Sequence, residues 1–165
     1  MRITTWAEYG LICTLHLARR ASEGPLAGRE IATRERLPQD YVEQILLRLR
    51  RAGIVRSVRG AHGGYALARP ADEITVRAVI AAAEQATFDL HCVSHPVEEE
   101  RCSASQECSI RPVWLLLQRR IDDVLESVRI ADLLADEHVV RRRVGLDDAG
   151  GAEAAGARRL PVLRG

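Results

Sequence analysis

Three cysteines stand within seventeen residues, Cys92, Cys102 and Cys108, separated by nine and then five residues. Thiolates are soft ligands, and three of them suit an iron–sulfur cluster, zinc or copper(I). No Cys-x2-Cys pair occurs, so the spacing is that of neither a zinc ribbon nor a thioredoxin-like redox motif. No export signal accompanies the cysteines, and cytosolic reductants keep such thiols from forming disulfides. The fourth, Cys13, falls on the apolar stripe of a helix, where it reads as a small buried hydrophobe.

The elements that must position these thiols can be read from the apolar spacing. The chain has 165 residues, 47% of them apolar, and a formal net charge of +1, enough for one globular core and an extension. All 24 basic side chains are Arg, a bias given no functional weight. No apolar run approaches the roughly 20 residues of a membrane span, so a cytoplasmic protein without membrane attachment is expected.

Ile3, Trp6, Gly10, Cys13 and Leu17 mark an amphipathic first helix, ended by Glu23-Gly24-Pro25. A short second helix surrounds Arg29–Thr33. In a third, Val42, Ile45, Leu46 and Leu49 share one face, Asp40 and Glu43 have capping-box spacing, and Gly53 supplies the stop. Ile54–Val58 and Tyr65–Ala68 then read as strands joined across Arg59-Gly60-Ala61-His62-Gly63-Gly64. Three helices followed by an Arg-bearing hairpin make a winged helix-turn-helix, whose third helix enters the DNA major groove.

The charge agrees with that reading, since residues 29–69 hold nine Arg against four carboxylates, a local balance of +5. Gln39, Gln44 and Arg48 are expected to be exposed and carry donors and acceptors that can read base edges. Arg50, Arg51, Arg56 and Arg59 suit phosphate or minor-groove contact, with His62 beside them at the wing tip. Tyr41 can pack on the first helix and Glu43 can simply cap the third.

A fourth helix opens at Ile74 and runs to about Glu84. The periodicity then lapses until Ile110, Trp114, Leu117, Ile121, Val124 and Val128, whose spacing of four and three is the seam of two helices packed side by side. The expected organisation is a DNA-binding domain over 1–84, a cysteine loop over 85–109, a dimerisation helix with a following short helix over 110–136, and a disordered tail over 145–165. The fold class is mainly α with a small β-wing, assembled as a homodimer on a palindromic operator. There is no Gly-x4-Gly-Lys loop, His-Glu-x2-His pair or Gly-x-Ser-x-Gly elbow, so an enzyme is not expected.

Met1–Gly10, Tyr41–Leu46, the Val58–Leu67 wing, the three-cysteine loop and Val128–Leu133 together resemble the winged-helix regulators of the IscR, NsrR and CymR type, over about residues 1–136. The resemblance implies a DNA-binding transcriptional regulator in which Cys92, Cys102 and Cys108 hold an iron–sulfur cluster sensing redox state, nitric oxide or cluster supply. It makes Tyr41, Glu43 and Gln44 base or backbone contacts. Where the IscR-like pattern places a His as fourth ligand, three residues after the last Cys, this chain has Arg111. Glu8 of the partner subunit matches the NsrR-like carboxylate, with His91 and His95 behind it, and tilts the expectation toward [4Fe-4S] over [2Fe-2S]. A Glu at this position also occurs in relatives without the loop cysteines, and CymR-like members imply an alternative, a thiol switch or zinc on the same fold.

Overall fold

The computed structural model describes residues 4–60, 63–84 and 108–146. Six α-helices and one two-stranded antiparallel sheet occur among them: α1 Thr5–Arg19, α2 Gly28–Glu35, α3 Gln39–Arg51, β1 Val55–Val58, β2 Gly64–Leu67, α4 Val76–Glu84, α5 Arg111–Ser127 and α6 Glu137–Arg143. Cys92, Cys102, His62, His91 and His95 lie outside the described residues, as do most of the expected cysteine loop and residues 147–165 of the expected tail.

The sharp α2–α3 turn is made by Arg36, which takes a left-handed conformation (φ 55°) while Leu37 N–H donates to Ala32 O. α3 then begins two residues earlier than a capping box on Asp40 would require. Its N-cap is Pro38, with no side-chain cap, and Glu43 instead accepts from the Gln39 amide at 2.8 Å. The expected box is therefore absent, because Asp40 stands inside the first turn and Glu43 is beyond reach of the cap. Asp40 there faces the positive end of the helix dipole. At the other end Gly53 (φ 69°) closes a Schellman motif, its N–H donating to Arg50 O and that of Ile54 to Leu49 O.

Val42, Ile45, Leu46 and Leu49 of α3 are fully buried and meet Ile31 of α2, Cys13 and Leu17 of α1, and Val79 of α4 in one core. The wing pairs Val55 with Leu67 and Val58 with Gly64. Its base is sewn to the chain before α2, where Leu26 and Tyr65 exchange backbone bonds of 2.9 and 2.8 Å. A Cβ on Gly64 would lie 2.3 Å from Leu26 O, so only glycine permits that approach.

α5 runs over the expected range, and its exit is tied back to the DNA-binding unit. Val76 N–H donates to Val128 O and Ile130 N–H to Ile74 O, both at 2.9 Å. Ile130 is completely buried in the core, worth roughly 1.5–3 kcal/mol. The sequence reading missed α6. It is a seven-residue helix anchored to the short turn Ile130–Leu134 by Arg143 and Asp132 at 3.0 Å.

Candidate DNA interface and cysteine site

The outward face of α3 follows from its buried stripe. With Val42, Ile45, Leu46 and Leu49 inward, Gln39, Asp40, Glu43, Gln44, Arg50 and Arg51 are exposed. Glu43, Gln44 and Leu47 line a shallow open recess with Gly28 and with Tyr65 at the wing base. Arg56 on β1 and Arg59 at its end are exposed on the wing. The polar donors of α3 and the wing cations thus belong to adjoining surfaces, the arrangement that lets a helix lie in a groove while a hairpin touches phosphate.

Two residues read as DNA contacts are engaged inside the chain. Arg48 is half-buried: its Nη1 donates to Ala83 O at 2.6 Å and its guanidinium lies 3.9 Å over the Trp6 ring. The exposed reader expected at this position is corrected, since α1 and α4 close over that flank of α3. A cation over an indole is worth about 1 kcal/mol. Tyr41 follows the packing alternative, its ring 5.2 Å from that of Trp6 and edge-on to Tyr9 at 6.1 Å, with 42% of the residue still exposed.

Of the cysteine site, Cys108 and Glu8 are described. Cys108 is half-buried three residues before α5. Glu8 is exposed in the first turn of α1. The Thr4 hydroxyl, which caps that helix, also donates to the Glu84 carboxylate, so the chain enters the cysteine-bearing segment beside the helix that carries Glu8. Arg111 opens α5; a guanidinium stays protonated and has no lone pair to offer a metal. Cys13 is fully buried, and desolvation, helped by the nearby Glu35 carboxylate, pushes its thiol up to about 12. It is not a nucleophile near neutrality.

Sequence reasoning missed three polar contacts. Buried His16 pairs Nδ1 with Glu35 Oε1 at 2.5 Å, tying α1 to the end of α2. Arg77 of α4 meets Asp122 of α5 at 3.1 Å, and Thr75 donates to Glu126 at 3.4 Å. All three join residues far apart in the chain, for which a single sequence holds no spacing signal.

A three-helix unit with an exposed polar helix and a basic wing stitched beside it defines a winged-helix DNA-binding protein. The chain belongs to the Rrf2 family, described as an iron-dependent transcriptional regulator, which matches residues 3–136. It is similar to the HTH-type transcriptional regulator IscR of Erwinia tasmaniensis, 34% identical over 140 residues that cover 85% of this chain and 82% of the relative. Among solved structures it resembles T. potens IscR, with a TM-score of 0.64 at 34% identity, covering 81% of this chain and 86% of that one. It also resembles CymR, the global cysteine regulator of B. subtilis, with a TM-score of 0.66 at 31% identity, covering 82% and 99%. The chain is thus a DNA-binding transcriptional regulator and not an enzyme. Among the described residues no helix is long and apolar enough to cross a membrane.

Proposed function

We propose that this regulator is a cytoplasmic homodimer that reads a palindromic operator and is controlled by an iron–sulfur cluster on Cys92, Cys102 and Cys108. The observation that carries the reading is the soft donor set itself: three thiols in one segment, the last half-buried at the foot of an amphipathic helix. The donors fit the group, because thiolates are the usual ligands of such clusters and one foreign ligand can complete the set. Glu8 of the partner subunit is the fourth ligand on this reading, with [4Fe-4S] favoured over [2Fe-2S]. When bound, the cluster supplies one-electron redox chemistry and reactivity toward oxygen or nitric oxide.

The chain's own residues do the rest. Gln39, Tyr41, Glu43 and Gln44 face base edges or the backbone beside them, while Arg50, Arg51, Arg56, Arg59 and His62 hold phosphates. Ile110, Trp114, Leu117, Ile121 and Val124 of a second copy cover the same seam on the first. Gln118, Asp122 and Leu125 occupy the half-buried side of α5, whereas Ile110, Trp114, Leu117 and Val124 are 42–59% exposed; Ile121, also half-buried, is where the exposed seam borders the docked side.

Anaerobic purification followed by visible absorption, iron and acid-labile sulfide analysis tests the cluster. The expected outcome is a coloured protein with near-equal iron and sulfide, whose colour disappears in Cys102→Ala while the dimer persists. The likeness to CymR favours a second reading, a thiol switch or zinc at the same segment, and a protein that stays colourless and iron-free after anaerobic reconstitution selects it.

A further inference from the structure

One cation of the recognition helix is turned away from the groove. Arg48 lies on the flank of α3, bonded to Ala83 O at 2.6 Å and stacked on Trp6 at 3.9 Å. Ala83 lies in the last described turn of α4, so Arg48 joins the recognition helix to that turn through its backbone.

The same end of α4 is held from α1. Thr4 donates to Glu84, and the two helices pack so closely at Gly10 that a Cβ there would lie 2.8 Å from that of Ala83. Tyr41, two turns before Arg48 on α3, closes the cluster against Trp6 and Tyr9. The recognition helix, the N-terminal helix and the last turn of α4 thus meet in one knot. The chain leaves that knot at Glu84, and Cys92 follows eight positions later.

We propose that Arg48 is the positioning residue through which the cysteine-bearing segment sets the pose of the recognition helix, and that it does not itself contact DNA. The inference rests on the reading of that segment as the sensor. A movement of the last turn of α4 either carries the Ala83 carbonyl, and with it Arg48 and α3, or breaks the bond and leaves a guanidinium against Trp6 without its acceptor. Those are two discrete arrangements of packed groups, which is what coupling between distant sites requires.

Arg48→Met tests this, because it keeps the apolar stem packed on Trp6 and removes the donors; Arg48→Lys keeps a charged donor. Each full-length variant and the wild type is titrated with a duplex selected from random DNA by the wild type. Titrations are made before and after iron chelation and iodoacetamide alkylation of the accessible thiols, across a salt series. The wild type is expected to change affinity on this treatment, Arg48→Met to bring the ratio of the two affinities to about one at unchanged salt slope, and Arg48→Lys to restore part of the ratio. Amide exchange on the untreated proteins is expected to rise in Arg48→Met at both the last turn of α4 and α3.

A wild-type ratio in Arg48→Met overturns the proposal. So does a salt slope lowered by about one, which marks a phosphate contact, or a loss of preference at one operator position. If the wild type itself ignores the treatment, the sensor reading fails, and the exchange data alone decide Arg48: faster exchange confined to α3 removes the strut, and joint loosening of α3 and α4 retains it.

Discussion

α3 and α5 are both amphipathic, yet the structure satisfies only one of them. α3 buries Val42, Ile45, Leu46 and Leu49 completely within the chain and turns its polar side outward. α5 is longer, contains no buried residue, and leaves Val113, Trp114, Leu115, Leu116 and Leu117 exposed in succession. The apolar period is equally clear in both sequences. Periodicity states that a face will be covered, and the covering partner is a separate fact that depends on which surfaces the fold brings near. For α3 the partners are α1, α2 and α4; for α5 they are α4 along one strip and, on the reading above, a second copy along another.

That contrast can be broken most forcefully in α3. Leu46→Ala removes a completely buried side chain from the centre of the core, and is expected to lower unfolding stability by about 3 kcal/mol, measured by denaturant titration. A loss below about 1 kcal/mol would mean that α3 is not held as described. The complementary substitution, Leu117→Glu on the exposed seam, should leave the unfolding midpoint of the DNA-binding unit nearly unchanged. It should also convert the dimer to monomer and weaken operator binding by about a hundredfold, because two linked half-sites become independent. Sedimentation at several concentrations reads the first effect, and a variant that remains dimeric contradicts the seam. The smallest change is expected at the wing. Arg59→Ala should weaken every duplex several-fold and reduce the salt slope by about one; a penalty restricted to a single operator position would assign Arg59 to base reading instead.

The fold was largely legible because its signals are local. The α3 stripe, Gly53 at its end and the glycines of the wing each act within a few residues, and each element appears within a residue or two of its expected bounds. α6 was not legible, since seven residues with Val139 and Val140 as their apolar pair give no repeat, and its anchor, Arg143 to Asp132, joins two elements. The site divides in the same way. Gln39, Glu43 and Gln44 are exposed as α3's own period requires, whereas Arg48 has the same helical address as a groove-facing cation and a different fate. What turns it inward is an indole 42 positions earlier and a backbone carbonyl 35 positions later, and a carbonyl has no letter in the sequence. The capping box failed for a local reason: with Pro38 at the N-cap, the helix starts two residues before the position that Asp40 would cap.

The two backbone bonds that join Val128 to Val76 and Ile130 to Ile74 act at the joint between the DNA-binding unit and the exit of α5. They restrain that joint, and Ile130 plugs it into the core. In a dimer built on α5, the two DNA-binding units are then the jaws of a caliper. One extra base pair between the half-sites shifts one jaw's target by about 3.4 Å and turns it by about 35° around the duplex axis. On the dimer reading, the width of the gap in the operator is information read without touching a base there.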